Sequence, residues 1–328
     1  MAESKKSKIV VLVGATGYIG FQVLTELVDR GYLVICVGRN VKGRISECSG
    51  CVRTIDFDLS SSMCDLASLR KEIPSCDGVI SCLGSRKGGI KDSWDTEFSA
   101  NKNILNFAES VSCKVFILLS AICVQKPKLH FQKAKLAFEK ELASSSVPYC
   151  IVRPTAYFKS LAGQIKNVKN GKPFILFDSG LNTACKPISK EDLAAYICDC
   201  LVNKNSLGKI IPIGGPGPAI TPLEQSNLLF SKALLTKKVR RVPSWTLLLL
   251  KYCLSPLSIF SQKVADYREF LRIAYYYATE SMLVWDPVEE RYYDEKTPEF
   301  GNDRLEDFYE HMLKIMDEEI SRVDAKLF

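Results

Sequence analysis

The sequence predicts an α/β fold: a doubly wound parallel sheet followed by a smaller, mostly helical region. Three observations carry that reading. Short runs that are apolar at successive positions alternate with amphipathic stretches, a glycine-rich turn ends the first run, and the alternation weakens after residue 155. Strands of a parallel sheet covered by helices on both faces are buried on both sides, so they are continuously apolar rather than alternating.

The first run, KIVVLVG at 8 to 14, leads into GATGYIG at 14 to 20 and then the helical stretch GFQVLTELVDRG, which Gly31 stops. LVICVG at 33 to 38 is the second strand, and a third precedes DFDLS. GVISCLG at 78 to 84, KVFILLS at 114 to 120 and YCIVRP at 149 to 154 are the fourth to sixth. Strand and helix alternating in this way form a Rossmann-type core with ligands at the carboxyl ends of the strands. Further on, IGGPGPAITPLEQ at 213 to 225 is a Gly/Pro loop entering a helix, and 226 to 315 reads as mostly helical, with aromatic clusters such as YYYATESM at 275 to 282. The expected organisation is a nucleotide-binding core over 1–155 and a substrate-binding region over 156–328 packed on it, with 185–215 contributing to the sheet.

Composition bounds the function. A hydrophobic share of 47% with 25% charged residues suits a soluble chain of 328 residues. Thirteen cysteines meet only two histidines, and CSGC at 48 to 51 has no companion pair. No metal site is therefore read, and the thiols are expected as small buried hydrophobes in a reducing compartment. The net charge of +7 is spread along the chain, and its densest cluster, KKVRR at 237 to 241, lacks the interleaved aromatics that stack bases, so nucleic acid is not an expected partner. MAESKKSK at the start is short and polar and reads as neither a secretory signal nor a transit peptide. WTLLLLKYCLSPLSIF at 245 to 260 is broken by Lys251 and Pro256 and falls short of the roughly 20 residues a spanning helix needs. It reads as a packed helix pair, with peripheral membrane contact as the alternative.

GATGYIG follows a strand and opens a helix, the context in which a glycine-rich match points to a dinucleotide. Gly14 permits a tight turn, Gly17 lets the backbone approach a pyrophosphate, and Gly20 allows close packing of helix on strand. With Thr16, Tyr18 and Ile19 they form the candidate phosphate cradle. At the end of the second strand an NAD site usually has an acid for the ribose hydroxyls. Here the residues are Gly38-Arg39-Asn40, followed by Lys42 and Arg44, and a guanidinium suits a 2′-phosphate, so the expected cofactor is NADPH with Arg39 as main discriminator and Lys42 beside it. Asp58, after the third strand, is a candidate for the adenine amino group or a simple helix cap, and Leu83 and Gly84 are expected under the ribose and phosphates.

FQKAK at 131 to 135 departs from the common pattern. Many nicotinamide-dependent reductases carry Tyr one helical turn before the Lys, where its phenol protonates a carbonyl oxygen, whereas Phe131 has no hydroxyl to give. This block, extended to FQKAKLAFEKEL (131–142), stands with LLSAICVQKP (118–127), IVRPTAYFKSLAGQ (151–164), CKPISKEDLAAYI (185–197), IPIGGPGPAITPLEQ (211–225) and YYATESMLVWDP (276–287). Together these blocks resemble the NADPH-dependent divinyl chlorophyllide 8-vinyl reductases, a family of atypical short-chain dehydrogenases similar in turn to the isoflavone reductase group, which keeps the Lys and not the Tyr. The likeness runs from the glycine-rich turn to about residue 315.

The resemblance implies reduction of the 8-vinyl group of a tetrapyrrole pigment, divinyl chlorophyllide or protochlorophyllide, to ethyl, in a plastid. A vinyl group conjugated to a macrocycle accepts hydride because the developing negative charge is spread, so positioning carries much of the rate and no phenol is required. Lys135 is then the first catalytic candidate, holding the nicotinamide ribose and stabilising charge or relaying a proton. Ser120 is the second. Pro154, Thr155 and Tyr157 are expected to line the nicotinamide and substrate cleft, with Phe131, Phe158 and the Tyr275–Tyr277 cluster as an apolar wall and Lys159 and Lys186 as candidates to meet the pigment's carboxylates. Reduction of another conjugated alkene, or a non-catalytic role as an NADP-binding structural or regulatory subunit, are the competing readings.

Overall fold

The computed structural model describes residues 8–47, 50–61, 64–85, 88–254 and 261–324. Its strands in chain order are β1 (Ile9–Val13), β2 (Leu33–Gly38), β3 (Val52–Asp56), β4 (Gly78–Ser81), β5 (Phe116–Leu119), β6 (Tyr149–Pro154), β7 (Phe174–Phe177), β8 (Lys209–Ile213), β9 (Val239–Val242), β10 (Val284–Asp286) and β11 (Arg291–Tyr293). Two compact units result: Met1–Pro154 with Leu193–Pro212, and Thr155–Asp192 with Ile213–Phe328.

The first unit carries a seven-stranded sheet in the order β3-β2-β1-β4-β5-β6-β8. Neighbouring strands from β3 through β6 pair in parallel. Next to β6, Gly208 N–H bonds to Tyr149 O, and the strand continues the order. Chain order reverses between β1 and β4, and a parallel sheet opens a ligand crevice at the carboxyl ends of the strands where that happens. β1, β4 and β5 are almost wholly buried, as their unbroken apolar runs require. Helices α1 (Tyr18–Asp29), α2 (Leu66–Glu72), α3 (Ile90–Ser93), α4 (Ala100–Ser110) and α5 (His130–Ala143) follow the strands. Phe107, Phe116 and Phe138 are fully buried in one core, with the rings of Phe116 and Phe138 centred 6.0 Å apart. Among the thiols, Cys36 has no exposed surface and burial pushes its pKa up to about 12, which suits an inert packing residue. Cys48 of the CSGC pair lies outside the described residues.

The second unit holds α6 (Ile165–Lys169), α8 (Pro222–Lys232), α9 (Trp245–Cys253), α10 (Gln262–Thr279) and α11 (Leu305–Asp324), while α7 (Lys190–Cys200) falls mostly in the first. It is less uniformly helical than its sequence suggests. β7 pairs with β9 in parallel and β10 with β11 in an antiparallel ribbon. Phe158, Phe174, Leu229, Phe230 and Tyr309 form its core. Tyr309 is fully buried, so its phenol is satisfied inside: it accepts from Gln225 Nε2 at 2.8 Å and donates to Leu161 O at 3.1 Å. Helix α8 begins with a capping box in which Thr221 and Glu224 satisfy each other's backbone N–H. Among the described residues no helix is long and apolar enough to cross a membrane.

The tightest backbone approach in the first unit is at α1. A Cβ on Gly20 would lie 2.1 Å from Gly14 O, which is backbone and has no rotamer to escape into. Gly20→Ala is therefore expected to lower unfolding free energy by about 1–3 kcal/mol in urea denaturation, the usual range for overpacking. Gly163→Ala, which meets nothing within 4 Å, should leave it unchanged.

Candidate active site

β1 is followed by Gly14, whose φ of +82° is in the left-handed region. The turn closes with Gly17 N–H on Gly14 O at 2.9 Å, and Gly17 is the residue from which α1 starts. No side chain caps that helix and no acid stands in its first turn, so the N-terminal N–H groups and the positive end of the dipole are open to an anion. Thr16 and Gly17 are exposed and Tyr18 is half-buried, whereas the Ile19 side chain is 5% exposed and belongs to the core. Ile19 and Gly20 thus serve the cradle through backbone and packing.

A cleft of about 450 Å³ opens over this turn, lined by Gly14 to Gly17, Val37 to Val41, Arg44, Cys82 to Gly84, Asp92 and Thr96. The loop after β2 is shaped by two features that the sequence did not advertise. Asn40 takes φ +52°, and the Asp56 carboxylate accepts from Val41 N–H at 2.6 Å and Lys42 N–H at 3.2 Å. Arg39 and Arg44 consequently line the cleft, while Lys42 lines a separate depression beside β3. The expectation for Lys42 is corrected to Arg44. Asp58 does not line the cleft either: its carboxylate accepts from Ser60 Oγ at 2.6 Å and Ser60 N–H at 3.0 Å, and the Ser60 hydroxyl holds its pKa below the usual carboxylate range. It is a local turn residue and not a helix cap: α2 is capped by Asp65, which accepts from Ser68 N–H at 3.1 Å.

Lys135 and Phe131 sit one turn apart on α5, where Gln132 secures the helix start by accepting from Lys128 N–H at 2.8 Å and Leu129 N–H at 2.9 Å. Lys133 and Lys140 are exposed, but Lys135 has only 12% of its side chain exposed and places Nζ 2.7 Å from Oε2 of Glu97. Glu97 is 2% exposed, and its Oε1 accepts from Ser85 N–H at 2.8 Å, just past Leu83 and Gly84. It lies in a π-helical turn, Trp94–Ser99, that the sequence reading did not find. A charged residue in an amphipathic helix ordinarily signals a solvated face, whereas this one is buried within the bulge.

Ser120 is 2% exposed and donates to Glu139, whose carboxylate also accepts from Arg153 Nε at 3.1 Å and from Arg153 Nη2. The hydroxyl proton of this second candidate is committed to a buried clamp joining the ends of β5 and β6 to α5. In the second unit, Phe158 is 3% exposed and stacks in the core 5.6 Å from the Phe308 ring, so it is no cleft wall. Thr155 is buried and donates to Lys186 O, and Tyr157 is half-buried with its backbone bridged to Ile188. Pro154, which ends β6, is buried. Tyr276 is likewise core, while Tyr277 is 46% exposed. Lys159 is exposed, but Lys186 is 4% exposed, with its ammonium 2.6 Å from Glu299 and 3.0 Å from Asp294. Burial works against that charge, but the two carboxylates prevail and hold its pKa above the usual lysine range. Lys186 already has its counter-charges.

The residues fit a phosphorylated dinucleotide: a turn that any Cβ would fill, an uncapped helix N-terminus, and two guanidinium side chains where an NAD site has an acid. Removing one partner of a buried ion pair costs about 3–5 kcal/mol, so Glu139→Ala, which strands Arg153, is expected to lose that much stability. Ser120→Ala removes one hydrogen bond and should cost about 1 kcal/mol. Chemical denaturation of both variants checks the ranking.

Comparison with known proteins agrees with this geometry. A family model described as NAD(P)H-binding matches residues 14–204. The chloroplastic divinyl chlorophyllide a 8-vinyl-reductase of Arabidopsis thaliana is 44% identical over 327 residues, covering 95% of this chain and 78% of that protein. Its Zea mays counterpart is 43% identical over 318 residues, covering 93% and 79%. The epimerase Mth375 of Methanothermobacter thermautotrophicus shares the fold at a TM-score of 0.67 and 15% identity, over 96% of this chain and 94% of that one. The chain belongs to the NAD(P)H-binding family and to its divinyl chlorophyllide a 8-vinyl-reductases.

Proposed function

We propose that this chain uses NADPH to reduce the 8-vinyl group of divinyl chlorophyllide to ethyl, in the chloroplast. The observation that carries the reading is an identity of 44% over 95% of the chain, which runs well past the matched nucleotide-binding residues 14–204. A shared nucleotide fold alone would not preserve the C-terminal third.

Bound NADPH supplies the hydride. The N–H groups at the start of α1, with Thr16 and Gly17, hold the pyrophosphate, and the guanidinium groups of Arg39 and Arg44 take the 2′-phosphate. Leu83 and Gly84 form the floor beneath the ribose. Lys135 binds the nicotinamide ribose through its ammonium and places a positive charge where negative charge develops in the substrate. Phe131 offers an apolar surface where carbonyl reductases place an acid, which suits a conjugated alkene. Ser120 positions the end of β5 through Glu139.

The apolar helix α9 gives the chain a membrane contact in this reading. None of its residues is buried, and Trp245, Leu249, Leu250 and Tyr252 are 58%, 54%, 43% and 64% exposed. Exposed Lys237, Lys238, Arg240 and Arg241 precede it. An exposed apolar helix beside a basic segment suits the interface of an anionic bilayer. Residues 255–260 of this stretch lie outside the described residues.

Anaerobic incubation with divinyl chlorophyllide a should yield the monovinyl pigment with NADPH and little with NADH, and Arg39→Ala should reduce that preference about 10- to 100-fold, the worth of one or two charge-assisted hydrogen bonds. Absence of product, with the protein folded and binding NADPH, would reject the substrate assignment. In flotation with anionic liposomes the chain should rise with the vesicles, and a Trp245→Ala, Leu249→Ser variant should stay below.

A further inference from the structure

We propose that Glu97 is a positioning residue for the reduction, acting through Lys135. The inference rests on the catalytic role given to Lys135 above. Glu97 is 2% exposed, and its two oxygens serve different partners: Oε1 takes the Ser85 N–H at 2.8 Å and Oε2 lies 2.7 Å from Lys135 Nζ. No hydrogen-bond donor other than that ammonium reaches Oε2 among the described residues. Among the described residues this carboxylate has one counter-charge, and the ammonium, only 12% exposed, has this carboxylate as its ion-pair partner.

The surroundings hold Glu97 rather than leaving it to adapt. The π-helical turn Trp94–Ser99 displaces the normal ladder, and the buried Asn101 amide donates to Glu97 O at 2.9 Å. Asn101 Oδ1 in turn accepts from Ser81 Oγ at 2.5 Å, at the end of β4. Thr96 of this turn and Asp92 of α3 line the cofactor cleft, and a Cβ on Gly84 would stand 4.0 Å from Glu97 Oε1. The carboxylate is thus fixed to the cleft wall by the strand end and by its own helix, and it fixes the lysine in turn. A single bulge of this kind, stabilised by a dedicated side chain, recurs at functional sites.

The chemistry gives the pair a purpose. A lysine that holds the ribose and faces developing negative charge works best with its ammonium in one fixed position. With Glu97 against it, the Lys135 ammonium is held in one place and has N–H groups left over for the ribose and the substrate. Glu97 does not line the cleft, so its loss should act on turnover and not on pyrophosphate or 2′-phosphate binding.

The test is steady-state reduction of divinyl chlorophyllide a by NADPH with Glu97→Gln, Glu97→Asp, Lys135→Met and the double variant Glu97→Gln, Lys135→Met, with NADPH affinity followed by quenching of its fluorescence. Glu97→Gln is expected to lower kcat at least tenfold while the KM for NADPH moves less than threefold. Glu97→Asp keeps the charge on a shorter stem and should recover part of the loss, which also serves if the Gln variant folds poorly. The double variant should be no slower than Lys135→Met, because Glu97 acts only through that lysine. Wild-type kcat in Glu97→Gln beside an inactive Lys135→Met would overturn this inference alone, as would fully multiplicative losses in the double variant. Wild-type kcat in Lys135→Met would overturn the role of the lysine, and this inference with it.

Discussion

Three backbone segments meet at the first turn of the sheet more closely than any side chain permits. A Cβ on Gly14 would stand 2.5 Å from Cys82 O, and one on Gly20 would stand 2.1 Å from Gly14 O. This contact locks the ends of β1 and β4 to the start of α1 at the point where strand order reverses, so the crevice and the open helix N-terminus are products of the same constraint. The cation pair Arg39 and Arg44, the Leu83 and Gly84 floor and the Thr96 wall then have a fixed frame to line.

Two buried glutamates divide the electrostatic work around that frame. Glu139 binds Arg153 and Ser120 and ties α5 to the strand ends, whereas Glu97 leaves one oxygen to Lys135. Neither charge could be buried without its partner, because a desolvated carboxylate is tolerated only when paired and hydrogen-bonded. α5 therefore carries members of two ion pairs, Glu139 and Lys135, within a single turn. Phe131, one turn earlier on the same helix, has no hydroxyl to give.

The sheet was legible in the sequence wherever strands are covered on both faces. β1, β4 and β5 stand out as apolar runs, but β3, at the sheet edge with a mixed burial pattern, has the sequence VRTID and shows no such run. The short strands β9 to β11 were hidden for a similar reason: a few half-exposed residues are too little pattern to separate from a helix. In the site, the glycine turn and the place of Arg39 on the cleft were readable because each is local to one strand end. Arg44 displaced Lys42 because a left-handed Asn40 and the Asp56 carboxylate turn the loop, and no propensity states that. Phe158 failed in the other direction, since an aromatic just past a strand end lies as easily in a core as on a cleft. Glu97 was invisible because a helical acid reads as surface, and burial by a π-helical turn leaves no periodic trace.

The central claim is that this chain delivers hydride from NADPH to a conjugated vinyl group without a phenolic acid. The most direct measurement is mass spectrometry of the pigment formed from divinyl chlorophyllide a with NADPH deuterated at the transferring position, in ordinary water. One deuterium in the 8-ethyl group, with the second new hydrogen drawn from solvent, is the predicted result. A reduced pigment that carries no deuterium from either face of the nicotinamide would contradict it.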